Sequence, residues 1–452
     1  MKPMIAAALA LSSAVLLAGL MPCCAGAAEG KPNFIIFLAD DLGYGELTCQ
    51  GYTKQIPTPH VDSIAEHGIR FLEGHVAATY CSPSRAGLMT GRYPTRFGHE
   101  YNGGGPKFGL PLTETTMADR LKALGYVTCA IGKWHLGTEP PFYPTKRGFD
   151  EYMGCLANPG SYFDPSRWLD SLGMVKPGPG FYTTDAFADR AVDFLERNKS
   201  KPFFLYLPFN AEHAPLQATS KYLDRFKNIS DTKRRTFAAM LSAMDDAVGR
   251  VMDKLHEIGQ DQNTLVFFLS DNGGPTSSTT SSNGPLRGFK TETSEGGTRV
   301  PFMVQWPGHL QAGKTYEHPV LNLDILPTFV AAAGGVVDPA WKLDGVNLLP
   351  YLTGENAGQP HETIYWRFGP QWAIRDGDWK LVVSRFDRLK PRLINMAVDM
   401  AETNDLASSE PKRVDDMTAE WKAWNGEQKP PAWTPGREER AGKKKKKNAK
   451  AE

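Results

Sequence analysis

Cysteine is scarce in this chain, with six residues among 452. Two of them, Cys23 and Cys24, stand in an N-terminal stretch whose composition marks it for removal. The other four, Cys49, Cys81, Cys129 and Cys155, are too few and too scattered to staple so long a chain, which excludes a disulfide scaffold. No Cys-x-x-Cys pair survives among them, so a cysteine zinc site is excluded too. Charge of one sign is also lacking. The net charge is +1, and residues 437–452 hold eight Lys or Arg against three Glu, which leaves −4 for residues 1–436. A mildly acidic body argues against a nucleic-acid partner, whose footprint is a basic face on the fold itself. The Lys443 to Lys447 run then reads as a solvated tail. Long apolar runs are missing beyond the N-terminus. There, Lys2, the apolar run from Ile5 to Leu20 and the small residues Ala25-Gly26-Ala27 form the three parts of a signal peptide, expected to span 1–27. The run falls short of the roughly 20 apolar residues a membrane span needs, so the reading is export to the periplasm or beyond, without an anchor.

What the chain does have is 41% hydrophobic and 22% charged residues, enough for one large domain or two unequal ones. Short continuous apolar runs alternate with amphipathic stretches, the pattern of buried parallel strands and helices in an α/β sheet. Phe34 to Ala39, Val127 to Ile131, Phe203 to Phe209 and Leu265 to Ser270 read as strands. Thr232 to Ile258 reads as a crossover helix stopped by Gly259. From Leu321 the texture changes. Asp324 to Thr328 opens a helix, and Thr363 to Phe368 and Trp372 to Ser384 read as strands, with Asp376-Gly377 supplying a hairpin turn. The expected organisation is a main domain over 31–320 and a smaller subdomain with an antiparallel sheet over 321–425. A Pro-rich, then Lys-rich stretch over 426–452 is not expected to pack.

In open α/β sheets, ligands bind beyond the carboxyl ends of the strands. The first strand ends in Asp40-Asp41, the second in Gly132-Lys133-Trp134-His135, the third in Asn210-Ala211-Glu212-His213 and the fourth in Asp271-Asn272. Each taken singly has a bland explanation: Asp pairs cap turns, histidines settle in cores, and Asp-Asn-Gly-Gly makes loops. A solvated loop set has no need of the whole mixture at one edge. Asp40, Asp41, Asp271 and Asn272 offer hard oxygen atoms suited to Ca²⁺ and not to zinc. Arg85, Lys133 and Lys290 add positive charge, which suits an anionic sulfate or phosphate ester. In Cys81-Ser82-Pro83-Ser84-Arg85, Pro83 fits a first helical turn and Ser82 its cap, so Cys81 stands where free N–H groups attract anions. A thiolate nucleophile there is a poor chemical match for a hard cation. Gln55, His99 and Asn102 read as ordinary loop residues.

Cys81 through Gly91 resembles the sulfatase family, matching its Cys-x-Pro-x-Arg motif and the Thr-Gly that follows. Asp40-Asp41, Gly132 to His135, His213, Asp271-Asn272, Lys290 and the stretch Ser294 to Pro301 fall in the same order as that family's functional residues, over about Asn33 to Pro307. The resemblance implies an alkaline-phosphatase-like α/β sandwich with a large mixed sheet between helices. It implies that a formylglycine-generating enzyme oxidises Cys81 to formylglycine, and that Asp40, Asp41, Asp271, Asn272 and residue 81 hold one Ca²⁺. It further implies a hydrated aldehyde as nucleophile toward sulfur, assisted by Arg85, with Lys133 and Lys290 on the sulfate oxygens. His213, with Lys290, would protonate the departing alcohol, and His135 would take a proton from the second hydroxyl. The implied substrate is an aryl or carbohydrate sulfate. A phosphodiesterase or phosphonate monoester hydrolase on the same fold, and a glycan-binding relative without catalysis, are the rival readings.

Overall fold

Along the first strand, Asn33–Ala39, every residue is buried. Ile35, Phe37 and Ala39 pack into one apolar cluster, and Phe34, Ile36 and Leu38 into another. A strand covered on both faces needs apolar residues at successive positions, which is why it reads as an unbroken run. The computed structural model describes residues 30–434 except 104, 106, 107, 159 and 176. The signal peptide expected over 1–27 and the Lys443 to Lys447 run lie outside the described residues.

Nine strands form one mixed sheet in the order Lys314–Tyr316, Ile69–Phe71, Phe302–Gln305, Thr264–Ser270, Asn33–Ala39, Phe203–Pro208, Val127–Ile131, Glu151–Cys155 and Trp168–Asp170. The four central strands, Thr264–Ser270 to Val127–Ile131, pair in parallel. Their carboxyl ends therefore point the same way, as the four expected strands require. Helices Pro59–Glu66, Thr183–Asn198 and Thr232–Glu257 cover one face. Helices Cys81–Thr90, Met117–Ala123 and Ile325–Ala332 cover the other. Phe329 lies against Phe34 with centroids 4.3 Å apart, and the Phe204 and Phe267 rings complete this layer. Burying each such ring contributes about 1.5–3 kcal/mol.

A second, four-stranded antiparallel sheet follows in the order Thr363–Phe368, Gln371–Asp376, Trp379–Val383 and Pro391–Asn395, covered by helix Pro411–Gly426. The hairpin turn falls at Gly377 (φ 51°), as the Asp-Gly pair demands. Two expectations need correction. A boundary at residue 321 cuts through packed structure, because Ile325, Leu326, Phe329 and Val330 belong to the core under the large sheet. The stretch from 426 packs at its start. The Lys429 and Ala432 amides bond the carbonyl oxygens of Thr95 and Gly98, and Trp433 is buried with Tyr101 and Phe368. Pro430 and Pro431 lack N–H groups and have φ preset, so this short segment can dock without the backbone ladder a strand or helix needs.

Candidate active site

The Asp40 amide donates to the Ala211 carbonyl and the Asp271 amide to that of Ala39, so the three strand ends are laced together where the chain turns out of the sheet. Asp41 turns with φ 72° and His135 with φ 60°. Non-glycine residues held there cost about 1–3 kcal/mol each, a strain that concentrates at functional sites. Gly273 permits the Asp271 loop to close, since a Cβ on it would lie 1.8 Å from the Gly296 carbonyl oxygen.

Helix Cys81–Thr90 starts two residues earlier than expected, with Tyr80 as its cap and Ser82 inside the first turn. Capping is done from a distance: Asn102 Oδ1 accepts the Ser82 amide at 2.8 Å. The Ser82 hydroxyl lies 2.6 Å from His99 Nε2 and donates to the His135 carbonyl at 2.6 Å. His99 and Asn102 are thus supports of the helix start and not plain loop residues. Gln55 is engaged elsewhere, accepting from Arg234 Nε at 2.8 Å.

Cys81 is fully buried at this helix start. Its sulfur lies 3.6 Å from Asp40 Oδ1, 4.0 Å from Asp41 Oδ1 and 3.1 Å from Lys290 Nζ. Lys133 Nζ reaches Asp40 Oδ2 at 2.6 Å, and Lys290 Nζ reaches Asp41 Oδ1 at 2.6 Å. Arg85 forks onto Asp271 Oδ2 through Nε and Nη2 at 2.9 and 2.8 Å, and its Nη1 donates to the Lys133 carbonyl at 2.7 Å. Asn272 Nδ2 donates to Asp41 Oδ1 at 2.8 Å. His213 Nε2 lies 3.8 Å from Asp41 Oδ2, with its Nδ1 2.7 Å from the Ala214 carbonyl oxygen. His135 is the outlying member: no hydrogen bond joins its ring to this cluster, and its Nδ1 is buried without a partner among the described residues. The fold thus gathers Asp40, Asp41, Lys133, His213, Asp271 and Asn272 from the strand ends, together with Cys81, Arg85 and Lys290, and leaves the His135 ring at the edge.

The electrostatics follow from burial among cations. Burial pushes the Asp40 carboxyl up, but Lys133, His213, Arg85 and Lys290 together hold it well below the usual carboxylate range. Asp271 is pushed up to about 6, by burial first and then by Asp40. Burial lowers His213 and takes His135 well below the ordinary histidine value, with Lys133 adding to both. Burial pushes the Cys81 thiol up to about 12 against the pull of Lys133 and Lys290, so at neutral pH the sulfur is a protonated thiol and a weak nucleophile.

The donor set fits a hard divalent cation. Ligand atoms of Asp40, Asp41, Cys81 and Asp271 all lie within 4.8 Å of one another. Asn272 Oδ1 beside them is buried with no hydrogen-bond partner among the described residues. An orphaned amide oxygen among three buried carboxylates suits Ca²⁺, which takes oxygen ligands of mixed kind.

With this geometry, the comparisons with known proteins are decisive. A family model for sulfatases matches residues 32–336. The chain belongs to the sulfatase family. A second family model, for the C-terminal part of N-sulphoglucosamine sulphohydrolase, matches residues 290–423 and so spans the small sheet of this sulfatase. Arylsulfatase G of Rattus norvegicus is 32% identical over 448 residues, covering 84% of each chain. N-acetylgalactosamine-6-sulfatase of Homo sapiens is 34% identical over 360 residues, 73% of this chain and 67% of that one. The crystal structure of Ps i-CgsB in complex with k-i-k-neocarrahexaose superposes with a TM-score of 0.84 at 36% identity, covering 91% of this chain and 96% of that one. The enzyme is a sulfuric ester hydrolase with the alkaline-phosphatase-like fold.

Outside the four strand ends, reading the sequence missed Ser82, Asn102 and Trp433. Ser82 and Trp433 line the same cavity as His99 and His135. A lone Trp in an otherwise polar, Pro-rich segment is the signal that could have found the last.

Proposed function

We propose that the protein is an exported, calcium-dependent carbohydrate sulfatase whose nucleophile is formylglycine made from Cys81 by a formylglycine-generating enzyme. The observation that carries this reading is the setting of Cys81: a buried, protonated thiol at a helix N-terminus, beside three carboxylates, an orphaned Asn272 oxygen and two lysines. Asp40, Asp41, Asp271, Asn272 and residue 81 would hold Ca²⁺, which supplies Lewis-acid polarisation of the sulfate, while the hydrated aldehyde supplies the attacking hydroxyl and a second one for release of sulfate.

The chain's own residues do the rest. Lys133 and Lys290 neutralise the carboxylates in the resting site and can turn to sulfate oxygens, each being a flexible point charge. Arg85, locked on Asp271, keeps that carboxylate ionised and oriented toward residue 81. His213 sits at the accessible side of the cluster, where its Nε2 can hold and deliver the proton that the leaving alcohol needs. His135, neutral because it is buried, can accept a proton.

Support for a carbohydrate comes from the likeness to the neocarrahexaose complex, which covers nine-tenths of this chain. Sulfate is favoured over a phosphonate ester because both matching family models are those of sulfatases or of a sulphohydrolase. The test is release of inorganic sulfate from a panel of sulfated saccharides, before and after chelation. Turnover that falls on chelation and returns with Ca²⁺ is expected. Full turnover in chelator would contradict the metal assignment, and hydrolysis of phosphonate but not sulfate esters would overturn the reading.

A further inference from the structure

The hairpin loop 384–390, between strands Trp379–Val383 and Pro391–Asn395, packs against the segment that bears Lys290. Two contacts pin it there. The Asp387 carboxylate takes both ends of the Arg287 guanidinium, at 2.7 and 2.5 Å. On the other side, fully buried Gln371 accepts the Arg385 amide on Oε1 at 2.9 Å and donates through Nε2, also at 2.9 Å, to the carbonyl of Thr291, the residue after Lys290. Within the loop, the Ser384 hydroxyl donates to Asp387 Oδ2 at 2.9 Å and the Leu389 amide to the Ser384 carbonyl at 2.8 Å. A loop tied down in this way loses little freedom on binding a ligand.

What it presents is unneutralised positive charge. Arg385, Arg388 and Lys390 are exposed, and none has a carboxylate within 4 Å among the described residues, whereas neighbouring Arg287 and Arg392 are paired. The nearby Glu292 carboxyl is raised, chiefly by burial, with Arg385 acting against the rise. Arg385 stands near the active site. Its Nη2 and the Tyr101 hydroxyl approach the same point over Gly369, 3.8 and 2.8 Å from where a Cβ would lie. Tyr101 packs against Phe368 at 5.2 Å, and Phe368 is edge-on to Tyr80 at 5.7 Å. Lys290 Nζ lies 5.3 Å from the centre of the Tyr80 ring and 3.1 Å from the Cys81 sulfur. Three packed rings thus lead from the Arg385 guanidinium to the reacting position. Phe289, which precedes Lys290, and Phe386 are 39% and 59% exposed. Exposed rings beside an unpaired guanidinium suit a ligand with an apolar face and an oxyanion, and the planar fork of Arg matches an oxyanion's geometry.

We propose that loop 384–390 is a second anion subsite, in which Arg385 binds a sulfate on a sugar adjacent to the one whose ester is cleaved, so that the enzyme selects multiply sulfated saccharides. This rests on the carbohydrate reading above. Arg385 makes no contact with the groups around residue 81 among the described residues, so it acts on binding and selectivity.

The test measures inhibition of nitrophenyl sulfate hydrolysis, in the full chain, by a monosulfated disaccharide and by a panel of disulfated ones that differ in the position of the second sulfate. The tightest of the panel is expected to bind the unaltered enzyme about 5- to 12-fold better than the monosulfated sugar. That range runs from a strong exposed ion pair to a weak hydrogen bond with a charged group. Arg385→Gln is expected to erase the advantage and Arg385→Lys to keep part of it, with the inhibition constant of the monosulfated sugar within about twofold in both. No advantage for any disulfated sugar, or an advantage that survives in Arg385→Gln, would overturn the proposal. So would an equal loss for the monosulfated sugar, which would make Arg385 a prop for the Lys290 segment. If no saccharide inhibits, the carbohydrate reading fails and the proposal with it; if the monosulfated sugar inhibits and Arg385→Gln changes nothing, the proposal fails alone.

Discussion

Replacing Lys380 with Met should loosen the joint between the two sheets without touching the active site. Lys380 is fully buried, with Nζ 2.6 Å from Glu295 Oε1 and 2.9 Å from Glu402 Oε1, and both carboxylates are fully buried as well. Glu295 belongs to the stretch that follows Lys290, Lys380 to the small sheet, and Glu402 to the loop beyond it. Methionine keeps the length of the side chain but leaves two buried carboxylates facing each other. Removing one partner of a buried ion pair costs about 3–5 kcal/mol. Unfolding entropy of about 2.1 cal/mol/K per residue, over roughly 400 residues, converts this to a fall in Tm of about 4–6 °C. The sign with pH can be worked out. Burial pushes Glu295 up, but Lys380 and its neighbours hold it below its ordinary 4.5. In the native enzyme its stabilisation is therefore full above pH 4.5 and is lost as pH falls through and below that value. Without Lys380 both carboxyls are raised, so the variant gains relative stability on acidification and the gap narrows from pH 7 toward pH 4.5. Thermal melts followed by circular dichroism across that range provide the assay. A shift under about 1 °C at pH 7, or a gap that widens on acidification, would refute this account of the joint.

Two further changes probe the site itself. His213→Gln should slow release of a sugar sulfate by about 10²–10⁴-fold and that of a nitrophenyl sulfate much less, because the better leaving group needs no proton; steady-state rates on the two esters separate these outcomes. Asp271→Asn should abolish Ca²⁺ binding measured by calorimetry. It should also lower Tm, because Arg85 loses the carboxylate on which it is forked while remaining fully buried.

The central strands were legible because burial on both faces forces runs such as Phe34 to Ala39 to be apolar throughout, and Val127–Ile131 and Thr363–Phe368 coincide with their expected bounds. The strand ends were legible because parallel strands must bring their carboxyl ends to one edge, whatever the loops between them do. Boundaries and supports were harder. Ser82 resembled a cap by residue type, yet Asn102, twenty residues on, does the capping. Helix Ile325–Ala332 follows the change of texture at Leu321 but buries its apolar face under the large sheet. Trp433 was lost in a Pro-rich stretch because its partners, Tyr101 and Phe368, are distant in sequence and no periodicity links them.

Mass spectrometry of the tryptic peptide containing Cys81, from protein made in a host with the modifying enzyme, tests the central claim most directly. The account predicts formylglycine at residue 81, and loss of sulfate release together with that modification in Cys81→Ala. An unmodified Cys81 thiol in protein that still hydrolyses sulfate esters would contradict it.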